Sequence, residues 1–535
     1  MKDNQILMDS ENMAIIGSSK KARGLESNLG FTEEELMDLD ERLEDFLEKK
    51  KLLHLPKDQH KNISSCDALK RFEKKIMEKL EESQKRVFEY NRDHSGCTDF
   101  VCSMFEKYLI YIPNGKYFMH WNGVRWKPDI PNFVFRLVEL SMNAIRDGIL
   151  QSEKPTKADI SFAHTCCDIK TINAVFELLK ARVGLNVSED KRFDTHPELL
   201  NVLNGTVNLR TGKLQKHRRK DYITQFIPIN YNPNASRKVL NSFLSSVFLD
   251  DQSLIDYVQT LSGYGITGET KEQSMYIFYG NGSNGKSTLL DVLEYTVGDY
   301  MKTTPAATFI KSISSPGAAT PELVALKNAR IVSCNEWQED ERLNESRVKT
   351  LVGSGTISVR ALYGEQTSYQ PTFKIFLDTN HYPRINGADY GIWRRLRVIP
   401  FNAKFQNKKD IDPDIKFKLF NEAEGILAWL VEGAVRYYQE GLDEPKAVKN
   451  ATKRFKREED VIGAFIADSI EKCSDNLIQA SELYGAYLEY CKIYSKAPQS
   501  ETVFGRRMIQ EGYDRKRKGS GNFYTNIQII NEDLL

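Results

Sequence analysis

No run of about 18 apolar residues, the minimum for a membrane-spanning helix, occurs anywhere in the 535-residue sequence. The opening MKDNQILMDSENMAIIGSSKKARG has no apolar core between a basic end and a cleavage site. It is read as no secretory leader, and the protein is expected to be cytoplasmic, with the sequon at Asn204-Gly205-Thr206 unused. An excess of one charge sign is missing too. The 75 Lys and Arg stand against 74 Asp and Glu, a formal net charge of +1, so a polyanionic partner has to be held by local basic patches. No Cys-x-x-Cys pair exists. The cysteines cluster only in HSGCTDFVC (His94, Cys97, Cys102) and HTCC (His164, Cys166, Cys167), a spacing that matches no common zinc module. They are read as reduced, partly buried thiols.

What is present is an ordinary globular composition, 40% apolar and 28% charged, at a length that suggests three or four domains. Residues 1–30 are polar and aperiodic and read as a disordered tail. Over 31–95 two charged amphipathic helices are expected. The first has Thr32 and Glu35 as a capping box and Leu36, Leu39, Leu43 and Phe46 on one face; the second carries Leu69, Phe72, Ile76 and Leu80. Residues 96–245 read as a mostly helical domain with β-hairpins at Asn122-Gly123, Asn204-Gly205 and Thr211-Gly212. Between 246 and 445 the apolar strands SMYIFYG, ARIVSCNE and TFKIFLDTN alternate with helices, which implies a mostly parallel sheet covered on both faces. Residues 446–535 are helix-rich and end in a basic hairpin.

The stretch FYGNGSNGKSTLL carries Gly280, Asn281, Gly282, Ser283, Asn284, Gly285, Lys286, Ser287 and Thr288. A glycine, four residues, then Gly-Lys-Ser is a spacing that lets backbone N–H groups turn inward around phosphate oxygens. Lys286 is expected to reach the β- and γ-phosphates of ATP, standing clear of the core, and the Ser287 hydroxyl to ligate Mg²⁺. The stretch lies between an expected strand and an expected helix, whose positive end faces the anion. Hydrolysis also needs a carboxylate at a neighbouring strand end. Glu336, directly after ARIVSCN, is the candidate, for metal and for catalysis, with Glu339 in reserve. Asn380, ending FKIFLDTN, is placed to sense the γ-phosphate. In GIWRRLRVIPF, Arg394 or Arg395 is a candidate to complete a neighbouring subunit's ATP site, whereas Arg397 reads as a surface ion pair.

The ordered set GNGSNGKST, RIVSCNE, KTLVGSGTISVRALYGE, FKIFLDTNHYPRI and GIWRRLRVIPF resembles the superfamily 3 helicases, in particular the poxvirus and phage/plasmid primase-helicase family. WNGVRW, LLNVLNGTVNLRTGKL and IPINYNPNA are similar to its pre-helicase domain, and ELYGAYLEYCKIYSKAPQSETVFGRRM to its winged-helix end, so the likeness spans roughly 100–530. Replication initiators of staphylococcal pathogenicity islands share this layout. The resemblance implies a multidomain α/β protein with an AAA+ type P-loop ATPase core, helical N-terminal domains and a C-terminal winged helix. It implies a homo-hexameric, ATP- and Mg²⁺-dependent DNA helicase of 3′-to-5′ polarity that initiates replication of a phage, plasmid or genomic island. The alternative is an origin-binding initiator that uses ATP as an assembly switch. By the same resemblance Lys286 and Ser287 contact phosphate and Mg²⁺, Glu336 is the catalytic acid, Asn380 the sensor and Arg394 the finger. Lys349, Arg360 and the Tyr363-Gly364-Glu365 tip would form a DNA-gripping pore hairpin. One departure is Gly353-Ser354-Gly355-Thr356-Ile357, where the family often has Gly-Gly-Asp-Pro-Ile.

Residues 1–95 contain no strand ending in Asp-x-Asp, so the chain reads as a helicase without polymerase, with a separate primase or polymerase as a possible partner for work on single- and double-stranded DNA. At the other end, Arg506 and Arg507 on a helix, with Arg515, Lys516, Arg517 and Lys518 on a hairpin strand, suit docking to a DNA groove and its phosphates.

Overall fold

The computed structural model describes residues 67–113, 115–129, 132–183, 192–311, 319–335, 337–339, 341–362, 364, 366–385, 390–406, 411–519 and 521–530. The expected tail and the first expected helix lie outside them. So do Glu336, Tyr363 and Glu365.

The second expected helix is present as Asp67–Ser83. Its apolar positions Ile76 and Leu80, together with Val87, are buried in one core with Phe100, Val101, Phe105, Leu137, Met142, Val175 and Leu179. That core is built from helices His94–Phe105, Phe133–Leu150, Lys157–Cys166 and Ile169–Arg182. The break expected at residue 95 is therefore not a break: the amphipathic face at 67–90 is completed by the helices that follow it. Antiparallel strands Tyr117–Trp121 and Trp126–Pro128 turn at Asn122-Gly123, where Gly123 has φ +96°, a conformation that glycine tolerates. Strands Leu199–Val202, Gly205–Asn208 and Lys213–Gln215 form a second small antiparallel sheet at the two expected turns.

The centre of the molecule is a five-stranded parallel sheet: β1 Met275–Tyr279, β2 Met301–Pro305, β3 Ile331–Asn335, β4 Lys374–Thr379 and β5 Leu396–Pro400, in the order β5-β1-β4-β3-β2. Period-2 alternation assigns its side chains to two cores. Tyr276, Phe278, Ile331, Phe376 and Ile399 face helix α1 (Lys286–Val297) and the helices Lys238–Phe248, Gln252–Ile266 and Ala423–Glu440. Met275, Ile277, Val332, Cys334, Ile375, Leu377 and Val398 face the other side, with Trp337, Leu351, Trp393 and Phe455. Arg330, just before β3, is buried and donates to the carbonyls of Ile266 (2.7 Å), Leu199 (2.7 Å) and His196 (3.1 Å). A single guanidinium thus ties the small sheet to the foot of the large one.

Two further boundaries move. Residue 245 lies inside helix Lys238–Phe248. Helix Lys446–Glu459 belongs to the central unit rather than to the C-terminal region expected from residue 446: Val448, Ala451 and Phe455 are buried in its two cores, and the Thr452 hydroxyl accepts from the Val398 N–H at 3.0 Å. The C-terminal unit then runs helix Val461–Ser469, strand Ile470–Gln479, helices Ala480–Ile493 and Glu501–Gln510, and strands Arg515–Lys518 and Gly521–Ile529. Its antiparallel sheet places the last strand between the other two. Among the described residues no helix is long and apolar enough to cross a membrane.

Candidate nucleotide and nucleic-acid sites

In the order β5-β1-β4-β3-β2 the chain leaves β1 for the far side of the sheet and later returns to both of its neighbours, β4 and β5. The crevice at the carboxyl end of β1 is such a switch point, where open parallel sheets bind ligands. The loop 280–285 sits there. Gly282 and Gly285 have φ +88° and +85°, and Ser283 +47°, so successive peptide units turn over as an anion cradle requires. A Cβ on Gly285 would come within 2.5 Å of Val247 Cγ2, so the start of α1 is packed against helix Lys238–Phe248. The far side of the loop is tied down where the Phe405 N–H donates to the Ser283 carbonyl at 2.8 Å. Asn281, Ser283 and Ser287 are exposed, Gly282, Gly285 and Thr288 half-buried, and Asn284 buried.

Lys286 does not stand clear of the core as expected. It is only 3% exposed, and its ammonium donates to the Gly280 carbonyl (2.8 Å), Asn380 Oδ1 (2.8 Å) and Asn284 Oδ1 (3.3 Å). Burial draws its pKa below the ordinary lysine value, and the carboxylate of Asp378, 3.8 Å away, pulls it back. Charge-assisted hydrogen bonds of about 1.5–3 kcal/mol each offset the cost of burying the cation. Its two nearest partners are neutral oxygens, so an arriving anion has a cation left to neutralise. Asn380 thereby meets the loop's lysine across 94 residues of chain.

Asp378 was missed. Alternation along β4 puts Asp378 on the same face as Phe376, the face that carries α1, and Asn380, one residue past the strand, reaches Lys286. Asp378 Oδ2 accepts from the Ser287 hydroxyl at 2.9 Å. Burial raises its pKa above the usual aspartate value, and Ser287 and then Lys286 oppose that. The signal was there: a lone carboxylate two residues before Asn380, directly after the apolar run Ile375-Phe376-Leu377. The hydroxyl of Ser287 and the carboxylate of Asp378 are hard oxygen donors of the kind Mg²⁺ takes, so the residues present fit that ion.

Arg394 is exposed, while Arg395 is half-buried and donates to the Gly391 carbonyl at 2.7 Å. Arg397 pairs with Glu444, as its reading as a surface ion pair anticipates. The segment between β3 and β4 forms a hairpin, Ile357–Arg360 against Gln366–Tyr369. Arg360 is exposed near its tip, with Nε donating to the Gly364 carbonyl at 3.2 Å, and Leu362 is 63% exposed. Lys349 lies half-buried on helix Glu345–Val352, which precedes the hairpin in the chain. In the C-terminal unit Arg506 and all of Arg515–Lys518 are exposed. Arg507 does not join them. It is 8% exposed and pairs with Asp460 at 2.6 Å and Glu511 at 2.9 Å. The expectation that it contacts DNA is corrected: Phe504, Arg507 and Met508 lie on the buried face of their helix.

Two family descriptions match the chain: "D5 N terminal like" over residues 98–249, and a family of unknown function, DUF5906, over 278–395. A protein of Acanthamoeba polyphaga mimivirus named "Putative helicase" is 30% identical over 325 residues, 56% of this chain and 34% of that protein. One of African swine fever virus named "Putative primase" is 26% identical over 332 residues, 56% of this chain and 33% of that protein. One of invertebrate iridescent virus 3 named "Putative helicase" is 26% identical over 221 residues, 40% and 23%. The chain spans about a third or less of the length of these relatives. Among solved structures, the apo C-terminal region of NrS-1 aligns over 78% of this chain and 96% of that one, at 13% identity and a TM-score of 0.44. The chain thus carries a D5 N terminal like region and is similar to viral proteins named as helicases or primases.

Proposed function

We propose that this chain is an ATP-driven DNA helicase that works as a ring in the replication of a mobile genetic element, with β1–β5 as an AAA+ type P-loop core and 460–530 as a winged helix. The observation that carries this reading is the meeting of the glycine-framed loop with Asn380 and Asp378 at the switch point of a parallel sheet. The glycines and the amino end of α1 supply N–H groups for phosphate oxygens. Lys286 meets the β- and γ-phosphates and Ser287 the cation. A bound Mg²⁺ would supply charge neutralisation at the transferred phosphoryl group. Glu336, next to the end of β3, is assigned the attacking water. Asn380, bonded to Lys286, links nucleotide state to β4. The hairpin 357–369 lies between β3 and β4 in the chain, so a shift of either strand moves Arg360 and Leu362. This is the coupling a motor needs if the hairpin grips single-stranded DNA in a central pore.

Arg394 is assigned to the neighbouring subunit's ATP site, because it is exposed while Arg395 is tied to its own turn. The hexamer, the 3′-to-5′ polarity and a separate primase or polymerase belong to the same reading. In the C-terminal unit the helix Glu501–Gln510 and the basic strand Arg515–Lys518 support a duplex-docking role. The test is ATP hydrolysis by the purified chain with and without single-stranded DNA. Mg²⁺-dependent hydrolysis stimulated by DNA and lost in Lys286→Ala is expected. Hydrolysis that Lys286→Ala leaves intact would overturn the assignment of the loop.

A further inference from the structure

A divalent cation at a phosphate loop is usually governed by an acid at the end of a strand beside the loop's own strand. Here the last described residue of β3 is Asn335, exposed and uncharged. The parallel register pairs Leu377 with Cys334, so the next residue of β4, Asp378, stands level with Asn335. A carboxylate therefore stands at this height one strand closer to β1, beside the loop's own strand. It touches Ser287, the residue assigned to the cation.

We infer that Asp378 is a positioning carboxylate for the divalent cation, acting through Ser287; this rests on the nucleotide-binding reading of the loop. A neutral hydroxyl is a weak ligand. Donating its proton to a carboxylate fixes its rotamer, raises its basicity and leaves its lone pairs for the metal, as hydrogen-bonded partners do for other ligands. Asp378 Oδ2 accepts that bond at 2.9 Å. Oδ1 faces the Lys286 ammonium at 3.8 Å, but Lys286 has closer neutral acceptors in Gly280 and Asn380, so holding the lysine does not require this carboxylate. The Asp378 side chain is 13% exposed, which limits screening of its charge by water and salt. An asparagine could accept the Ser287 bond equally well. Only the charge is specific to aspartate, and charge is what a cation senses.

The experiment is equilibrium binding of a fluorescent, non-hydrolysable ATP analogue to the full chain, first in EDTA and then with increasing Mg²⁺. With each protein's affinity in EDTA taken as its own baseline, Asp378→Asn is expected to need at least about tenfold more Mg²⁺ than the wild type for the metal-dependent gain in affinity. That factor corresponds to about 1.4 kcal/mol. Ser287→Ala should show a similar shift, and the double variant little more than either single one, because the two side chains act as one unit. A half-saturating Mg²⁺ concentration within twofold of wild type in Asp378→Asn would overturn the inference while leaving the loop's role standing. Additive shifts in the double variant would also overturn it. If Asp378→Asn loses its thermal transition, Asp378→Glu, which keeps the charge, takes its place and should retain the gain; its failure to do so would equally count against the inference. Failure of the wild type to bind the analogue, or binding by Lys286→Ala undiminished in EDTA, would overturn the reading of the loop itself and this inference with it.

Discussion

Two cations of the candidate sites are buried, and they are buried for different reasons. Lys286 is held by polar oxygens at a place where an anion is expected, so its desolvation is a cost carried for function. Lys286→Ala should therefore leave the thermal midpoint of the free protein unchanged or raised, while removing the stabilisation that ATP confers; a fall of several degrees in the free protein would contradict this. Arg507 is held by two carboxylates, and burial raises the pKa of Asp460 while the Arg507 charge lowers it. Arg507→Ala leaves Asp460 buried without its cation, which typically costs about 3–5 kcal/mol. Arg506→Ala, at an exposed site, should cost under about 0.5 kcal/mol. Denaturant melts of the C-terminal unit's transition check both. The sequence could not separate these neighbouring arginines by composition. Only the spacing of Phe504, Arg507 and Met508 on one helical face, once the helix is packed, does so. Asp378 was passed over for a related reason: the carboxylate is visible in FKIFLDTN, but its meaning comes from Ser287, 91 residues away.

At the scale of elements, the strand–loop–helix of 275–297 was legible because glycine positions and an apolar run spell it locally. The hairpins at Asn122-Gly123 and Asn204-Gly205 were legible for the same reason. Helix Lys446–Glu459 was not read as part of the core. Its exposed face is so basic that it masks the apolar stripe of Val448, Ala451 and Phe455 that docks beside β5. The basic strand Arg515–Lys518 has every residue exposed, so replacing all four side chains by alanine removes charge without removing core. The slope of log affinity for duplex DNA against log salt concentration should then become shallower by roughly 0.9 for each phosphate that is no longer neutralised. DNA-independent ATP hydrolysis should be unchanged. An unaltered salt slope would exclude this strand from the DNA interface.

At the scale of the whole molecule, the parallel sheet and its strand–helix alternation were foreseen, while the domain breaks at 95, 245 and 445 were displaced. Amphipathic faces are completed by partners that only the packed structure shows. The ring is tested by Arg394. If it acts in a neighbour's site, Arg394→Ala should bind ATP and fail to hydrolyse it, with losses of about 10³–10⁵ in comparable phosphoryl-transfer systems. Mixed with Lys286→Ala, under conditions where labelled subunits are seen to exchange, it should regain part of the activity. Exchange without regained activity would place Arg394 in its own subunit's site or require several adjacent intact sites, and titration with wild-type subunits separates those two.

The measurement closest to the central claim is strand displacement. The chain is given a forked DNA duplex with a single-stranded 3′ tail, ATP and Mg²⁺, with a trap for released strands. The account predicts release of the displaced strand by the wild type, none without ATP, and none by Lys286→Ala. ATP hydrolysis stimulated by DNA with no strand released would contradict it and favour an initiator that uses ATP only to assemble.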